Sequence, residues 1–550
     1  MKYFLFLFLL FSFHCLFADY SYSQAYAKLE ELVQEVELSK IGISDALLKI
    51  DEMDIELLLR PSVVTSKLQK PAFSGFVACR GAASGVICFD SKKLKGYQKR
   101  FGTVIWITDN ISNDDLCYIK YADGICAFEE DPSSHAIIVT RVNNVPCITL
   151  LDGATLSSQG IQTKEVLLQE GDFITLDAFN GYIYPEKMGI MRPSDHELLS
   201  KILNWTDQYA LLSVHANADT SVEAKDALLN GAKGVDPRSE HMFFHPDSLK
   251  IFRKVILQKE MATDSLEKLK NIQKEDILSL FQTMKSYPVK IRLLDPPLHE
   301  FLPKDLKVCQ ELAKELGIKL ENMQVKIAAL SEANPMMGHR GVRLLLTFPE
   351  ILKIQARAIF EAAVDSSLEG VGVEPIIIIP MVISETEVIS IKETLEQVRM
   401  EVSSQLGKTI RYKLGVMIET PRACLLADRI AKHVSYFSFG TNDLTGLTFG
   451  FSRGDVFEKF LKSYLNSELL VNDPFASLDS AVLMLMDIAV KNARMADHYV
   501  SIGICGEQAS EKTGVFACHK LGLDSVSAAP QRIPAVRLFA AQAAILHPRN

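Results

Sequence analysis

Leu414-Gly415-Val416-Met417-Ile418-Glu419, followed by Tyr436-Phe437-Ser438-Phe439-Gly440-Thr441-Asn442-Asp443, decides the fold. Each stretch is a short apolar run that ends on acidic or amide side chains. Between them, residues 421–432 have the spacing of an amphipathic helix. Strand, helix, strand, with polar groups at the strand ends, describes a unit of a parallel sheet. The pattern continues outward in runs at 210–214, 231–235, 289–294, 341–345, 375–380 and 500–504, with helices predicted at 304–317, 349–364 and 384–406. About eight units over about 340 residues predict a (β/α)8 TIM barrel, assigned to 196–550. Active sites of such barrels lie at the carboxyl ends of the strands. Arg238, Asp295, Glu419, Asn442, Asp443 and Cys505 follow runs of this kind, so the fold predicts that they meet in one mouth.

Upstream the pattern changes. Residues 71–195 carry short strands separated by Gly and Asp turns, at 75–78, 103–107, 124–127, 146–149 and 173–176, and read as a compact mixed α/β domain. Residues 19–70 read as two or three short helices, with Ala25, Leu29, Leu32 and Val33 on one face and a capped start at Ile43-Ser44-Asp45. At the start, Lys2, an apolar run from Tyr3 to Phe13 and Ala18 before Asp19 match a signal peptide over residues 1–18, which suggests export and leaves the compartment open between export and the cytoplasm.

The 550 residues are 48% hydrophobic and 23% charged, enough for large cores and too apolar for a disordered chain. A net charge of -9 argues against nucleic acid as the main partner, because phosphate neutralisation needs clustered Lys and Arg. None of the 10 cysteines forms a CxxC pair, so zinc-finger and thioredoxin readings have no support, and most of the thiols read as small buried hydrophobes. No Gly-rich phosphate loop occurs.

The polar residues suit one chemistry. Glu419 and Asp443 end consecutive predicted strands, and Mg²⁺ is typically held by one or two carboxylates plus substrate oxygens. Gly440-Thr441-Asn442-Asp443 supplies a turn with backbone amides beside that pair. Arg238, Arg292 and Arg340 offer guanidinium groups that match carboxylate and phosphate oxygens. Arg292 lies inside an apolar run, where it needs an anion or a partner such as Asp295. A protonated Cys505 thiol can deliver a proton to an enolate. Ser133 or Ser134 is placed to cap a helix at 135–141, which puts His135 in its first turn, where amides and dipole stabilise a phosphoryl group.

Several of these stretches resemble one family. Phe437 through Thr445, continuing to Thr448-Phe449-Gly450-Phe451-Ser452-Arg453, is similar to the second signature of the phosphoenolpyruvate-utilising enzymes. Arg292-Leu293-Leu294-Asp295-Pro296-Pro297-Leu298-His299-Glu300-Phe301 resembles the pyruvate, phosphate dikinase branch of that family, as do Arg238-Ser239-Glu240-His241-Met242-Phe243-Phe244, Gly338-His339-Arg340-Gly341, Met417-Ile418-Glu419 and Gly503-Ile504-Cys505-Gly506-Glu507. The resemblance runs from about residue 25 to the end. It implies a swivelling phosphohistidine domain carrying His135 and a barrel that binds phosphoenolpyruvate or pyruvate with Mg²⁺. Arg238, Arg292 and Arg340 would hold the substrate's oxygens, and Glu419 and Asp443 the Mg²⁺. Gly440, Thr441, Asn442 and Asp443 would line the substrate, Cys505 would protonate the enolate, and the assembly would be a homodimer.

The sequence departs from the dikinases in three places. Their ATP-grasp region has no counterpart in it, so the nucleotide half-reaction would need a separate nucleotide-binding or phosphoacceptor protein. Glu130-Asp131-Pro132-Ser133 stands where the family has Gly-Gly-x-Thr, and Gln508-Ala509-Ser510 where it has His-Gly-Gly. Carboxylates at 129–131 would repel a phosphoryl group on His135. Three expectations follow: a Mg²⁺-dependent phosphotransferase; a degenerate dikinase-like protein that binds phosphoenolpyruvate or pyruvate without transfer; and a barrel in which Cys505 exchanges the methyl protons of pyruvate. The motifs favour the phosphotransferase.

Overall fold

The computed structural model describes residues 22–549 apart from 65–69, 129–134, 144, 158–159, 164–165, 193–196, 244–245, 258–262, 304, 333 and 335–336. The leader at 1–18 and the loop at 129–134 with its capping serines therefore lie outside the described residues. The protein is a mixed α/β chain of two compact units, divided between Trp205 and Thr206. No helix among the described residues is long and apolar enough to cross a membrane.

Among the described residues the first unit opens with three helices, Tyr22–Glu37, Ile43–Lys49 and Glu52–Leu58. Ala25, Leu29, Leu32 and Val33 are buried, as their spacing predicts. Ser44 and Asp45 lie inside the second helix rather than capping it; Gly42 is its N-cap and makes no side-chain cap bond. Seven strands then close a barrel that mixes parallel and antiparallel neighbours. All five expected strands are present, at Phe73–Cys79, Val104–Thr108, Gly124–Ala127, Cys147–Asp152 and Phe173–Asp177. Two further strands, Ala82–Cys88 and Tyr182–Tyr184, complete the barrel without a sequence signal. The first of these is rich in Ala, Ser and Gly, which mark a strand only weakly. It is accommodated because Gly85 lets the Thr103 backbone approach closely. The helix His135–Val142 has His135 in its first described turn, as expected.

The second unit is built on seven parallel strands: β1 (Ser213–Ala216), β2 (Lys290–Arg292), β3 (Ile376–Ile379), β4 (Lys413–Ile418), β5 (Tyr436–Phe439), β6 (Ser501–Ile504) and β7 (Ser525–Ala528). Their order in the sheet is β1-β7-β6-β5-β4-β3-β2. Val235 makes parallel bridges to Ala216 beside one edge and to Val289 beside the other, and Arg238 bridges Arg292.

Two expected strands are corrected. Residues 341–345 are not a strand; Val342–Thr347 is a helix that starts after Gly341 at φ 59. A short leucine-rich run does not reveal its period, and Gly341 is needed because a side chain there would meet Met381. Residues 231–235 contribute only the bridges of Val235, since Gly231 (φ +89) and Gly234 interrupt the extended run. In compensation β7, Ser-Val-Ser-Ala, is a strand that carries too few apolar residues to be recognised.

Alternation along the strands sorts the side chains. Leu414, Val416, Ile418, Phe437, Phe439, Ile502, Ile504 and Val526 join the core beneath the helices. Burying side chains of this size stabilises by about 1.5–3 kcal/mol each. The opposite face carries a small apolar patch of Ile378, Met417 and Tyr436. The same face also carries Ser213, His215, Lys290, Arg292, Ser438, Ser525 and Ser527, which are polar and mostly buried. That polar face positions the site.

Candidate active site

A cavity of about 290 Å³ opens at the carboxyl ends of the strands. Arg238, Arg292, Asp295, Glu419, Gly440, Thr441, Asn442, Asp443 and Cys505 all line it. Arg340 stands behind this lining and is tied to it through Asp295 and Asp443. His135 belongs to the first unit, and its side chain lies outside the described atoms.

The mouth is a chain of ion pairs. Arg340 Nε and Nη2 donate to Asp295 at 3.2 and 2.5 Å, and Nη1 and Nη2 donate to Asp443 at 2.9 and 3.3 Å. Arg292 Nη1 lies 3.5 Å from Asp295, but its principal partner is Glu240, a buried carboxylate two residues after Arg238. Burial alone would lift the Asp295 carboxyl; Arg340 and Arg292 outweigh it and hold it below the usual range. Arg238 is turned partly outward, its side chain 43% exposed, and Asp219 grips it through the backbone N–H at 2.8 Å and through Nη2 at 2.6 Å.

Glu419 sits at the end of β4 and is 1% exposed. Thr420 fixes the turn after it: its hydroxyl accepts from Ala423 N–H at 3.1 Å and donates to the Val382 carbonyl at 3.2 Å. One carboxylate oxygen of Glu419 accepts from Met381 N–H at 2.6 Å. Met381 holds φ 58, a strained conformation for a side-chain-bearing residue that aims this N–H. The other oxygen, Oε2, is buried with no hydrogen-bond partner among the described residues, as is Asn442 Oδ1. Burial, then Asp443 and Asp295, push the Glu419 carboxyl up to about 8. Gly440 has no side chain because a Cβ there would collide with Oε2. Two carboxylates, an orphaned acceptor oxygen on each of Glu419 and Asn442, and a carboxyl strained by its neighbours fit a hard divalent cation completed by substrate oxygens. Among the described residues no group of three or more His, Cys, Asp or Glu side chains forms a self-sufficient metal site.

Cys505 follows β6. Burial, then Asp236, push its thiol up to about 11, and the thiol donates to the Phe439 carbonyl at 3.7 Å. It is therefore a protonated donor at neutral pH. Gln508 accepts from the Thr441 hydroxyl at 2.7 Å, which pins the Cys505 loop to the Gly440–Asp443 turn.

Sequence reasoning did not single out Asp219, Glu240, Asp236, Lys290, Tyr436 or Ser438. A signal existed for two of them: Lys290 precedes Arg292 by two and Ser438 precedes Gly440 by two, so each shares a strand face with a chosen residue.

Residues 194–545 match the family model "PEP-utilising enzyme, PEP-binding domain", and residues 102–181 match "PEP-utilising enzyme, mobile domain". Pyruvate, phosphate dikinase of Rhizobium meliloti (strain 1021) is 38% identical over 95% of this chain and 59% of its own. The Clostridium symbiosum enzyme is 37% identical over 94% of this chain and 60% of its own, and that of Giardia intestinalis 38% identical over 93% and 58%. The chain thus spans about three fifths of the length of these curated relatives. With a match to the phosphoenolpyruvate-binding domain running the length of the second unit, the chain belongs to the PEP-utilising enzyme family and is similar to its pyruvate, phosphate dikinases.

Proposed function

We propose that the chain is a Mg²⁺-dependent phosphotransferase that moves a phosphoryl group between phosphoenolpyruvate and His135, leaving pyruvate. The seven parallel strands, with Val235 joining both edges, are taken as the (β/α)8 barrel at 196–550, and 71–195 as a swivelling domain that carries His135 to it, in a homodimer. The observation that supports this reading is the mouth itself: Arg292 and Arg340 are paired around Asp295, beside a buried Glu419 oxygen that no described residue satisfies.

Glu419 and Asp443 would hold Mg²⁺, which when bound neutralises both carboxylates and polarises the oxygens of the acid. Arg292 and Arg340 are held rigid by their carboxylate partners and present fixed positive charge to phosphate and carboxylate oxygens. Arg238 is poised by Asp219 at the rim. The enol phosphate P–O bond breaks as a His135 nitrogen bonds phosphorus. The enolate's third carbon then takes the proton of the Cys505 thiol, whose raised pKa keeps that proton in place until a strong base appears.

Incubating the full chain with ³²P-labelled phosphoenolpyruvate and Mg²⁺ should label it, and His135→Ala should abolish the label. Mg²⁺-dependent binding by calorimetry without any label establishes instead the degenerate, binding-only protein, the outcome that the carboxylates at 129–131 would favour. Deuterium exchange into pyruvate that depends on Cys505, with no label, identifies the enolate-exchange reading.

A further inference from the structure

A second polar cluster lies at the floor of the cavity, beneath the residues assigned to phosphoryl transfer. Lys290 precedes Arg292 by two on β2 and shares its face, one layer deeper. It is 2% exposed. Its ammonium lies 2.8 Å from Asp236 Oδ1, donates to the Tyr436 hydroxyl at 2.8 Å and sits 4.7 Å from the centre of that ring. Tyr436 also shares a hydrogen bond with Ser525 at 3.0 Å, and its hydroxyl occupies the space a side chain at Gly503 would need. Asp236 accepts from the Ser527 hydroxyl, and His215 lies 3.8 Å away, backed by Ser213 at 3.0 Å. Lys290, Asp236, Tyr436, Ser438 and Cys505 all border the one cavity.

Two features make this more than filling. The interior of such a barrel is ordinarily packed with branched apolar residues. A buried Lys–Asp pair gains little over an apolar pair of the same size, so packing does not account for it. Further, an ammonium has three donors. Tyr436 accepts one and Asp236 is an ion-pair neighbour at 2.8 Å, so among the described residues the ammonium keeps donor capacity to spare while Lys290 faces the cavity. The cluster is also electrically balanced: one ammonium faces one carboxylate, and burial and Lys290 keep His215 neutral by lowering its pKa. The floor thus suits a neutral hydrogen-bonding group and opposes a further charge.

We infer that this floor receives a hydroxyl on the third carbon of the bound acid, so that the preferred ligands are 3-hydroxy-2-oxo acids and their enol phosphates. The inference rests on the proposed function, in which Cys505 faces that third carbon. The free Lys290 donor meets the hydroxyl oxygen, and Ser438, which lines the same cavity as Cys505, accepts its proton. A plain methyl group leaves the ammonium donor unpaired. A carboxylate in the same place is buried against an ionised Asp236 and is rejected.

Calorimetry on the full chain at saturating Mg²⁺ tests this with hydroxypyruvate, pyruvate and oxaloacetate. Hydroxypyruvate should bind about ten-fold more tightly than pyruvate, and oxaloacetate more weakly than either. Ser438→Ala, and separately the double variant Lys290→Met with Asp236→Asn, should narrow the preference to about two-fold. Retained pyruvate binding shows that each variant is folded. Equal affinities in the wild type, or a preference that survives both variants, overturns the inference while leaving the proposed function standing. Failure of all three acids to bind overturns the proposed function, and the inference with it.

Discussion

The mouth and the floor of the cavity each contain a largely buried carboxylate, Glu419 at 1% exposure and Asp236 with its side chain 12% exposed, and the two respond in opposite directions. Glu419 at the mouth is pushed up to about 8; Asp236 at the floor is pulled down to about 2. Burial raises both. The difference lies in the company. Glu419 shares its surroundings with Asp443 and Asp295, whose charges add to its own, whereas Asp236 has Lys290 at 2.8 Å and His215 beyond it. Desolvation pushes in the same direction in each place, and the charges of the neighbours decide the sign. The mouth is therefore short of positive charge and the floor is complete in charge.

The largest effect expected from disturbing this contrast is on stability. Lys290→Met should cost about 3–5 kcal/mol in urea unfolding, because Asp236 is left buried and unpaired. Lys290→Met with Asp236→Leu should recover most of it; a double variant as unstable as the single one would mean that the two residues are not a pair. Next comes the mouth. Glu419→Ala should weaken Mg²⁺-dependent binding of phosphoenolpyruvate by about 100-fold or more in calorimetry, without a comparable loss of stability.

The two carboxylates should also tilt stability in opposite directions with pH. In metal-free buffer the raised Glu419 pKa gives stability that is whole below about 4, the ordinary carboxylate value, and lost as pH rises through about 8. Glu419→Gln should flatten that limb of the curve. The lowered Asp236 pKa gives stability that is present above about 4 and lost as pH falls through about 2, and Asp236→Asn should flatten that side. Finding both slopes of the same sign would remove the contrast. The smallest effect serves as the scale: Lys491→Ala breaks an exposed i,i+4 pair with Asp487 and should change stability by about 0.5 kcal/mol or less.

Most of the mouth is legible in the amino-acid sequence. Glu419, Asn442, Asp443 and Cys505 are polar residues placed just after apolar runs, and that local contrast marks the ends of parallel strands. Asp295 is foreseeable as a partner for Arg292, but Glu240, its stronger partner, is not, because a carboxylate in a short turn looks like surface until Arg292 is seen to bury it. The floor is not legible in this way. Lys290 reads as a basic interruption in a strand, and Tyr436 as one more apolar residue.

By itself the sequence determined what depends on neighbours along the chain: the alternation of strands and helices, the helix face at Ala25, Leu29, Leu32 and Val33, and the polar groups at strand ends. Only the tertiary structure decided what depends on neighbours across the sheet. It made a strand of Ser525–Ala528, whose partners at Ser213 and Gly503 supply the hydrogen bonds that its own composition does not announce. It made a helix of Val342–Thr347, and it set Lys290, Asp236 and Tyr436 against one another. The physical reason is that backbone periodicity is a local property, while pairing, burial and the resulting charge states arise from contacts between segments that the chain order keeps far apart.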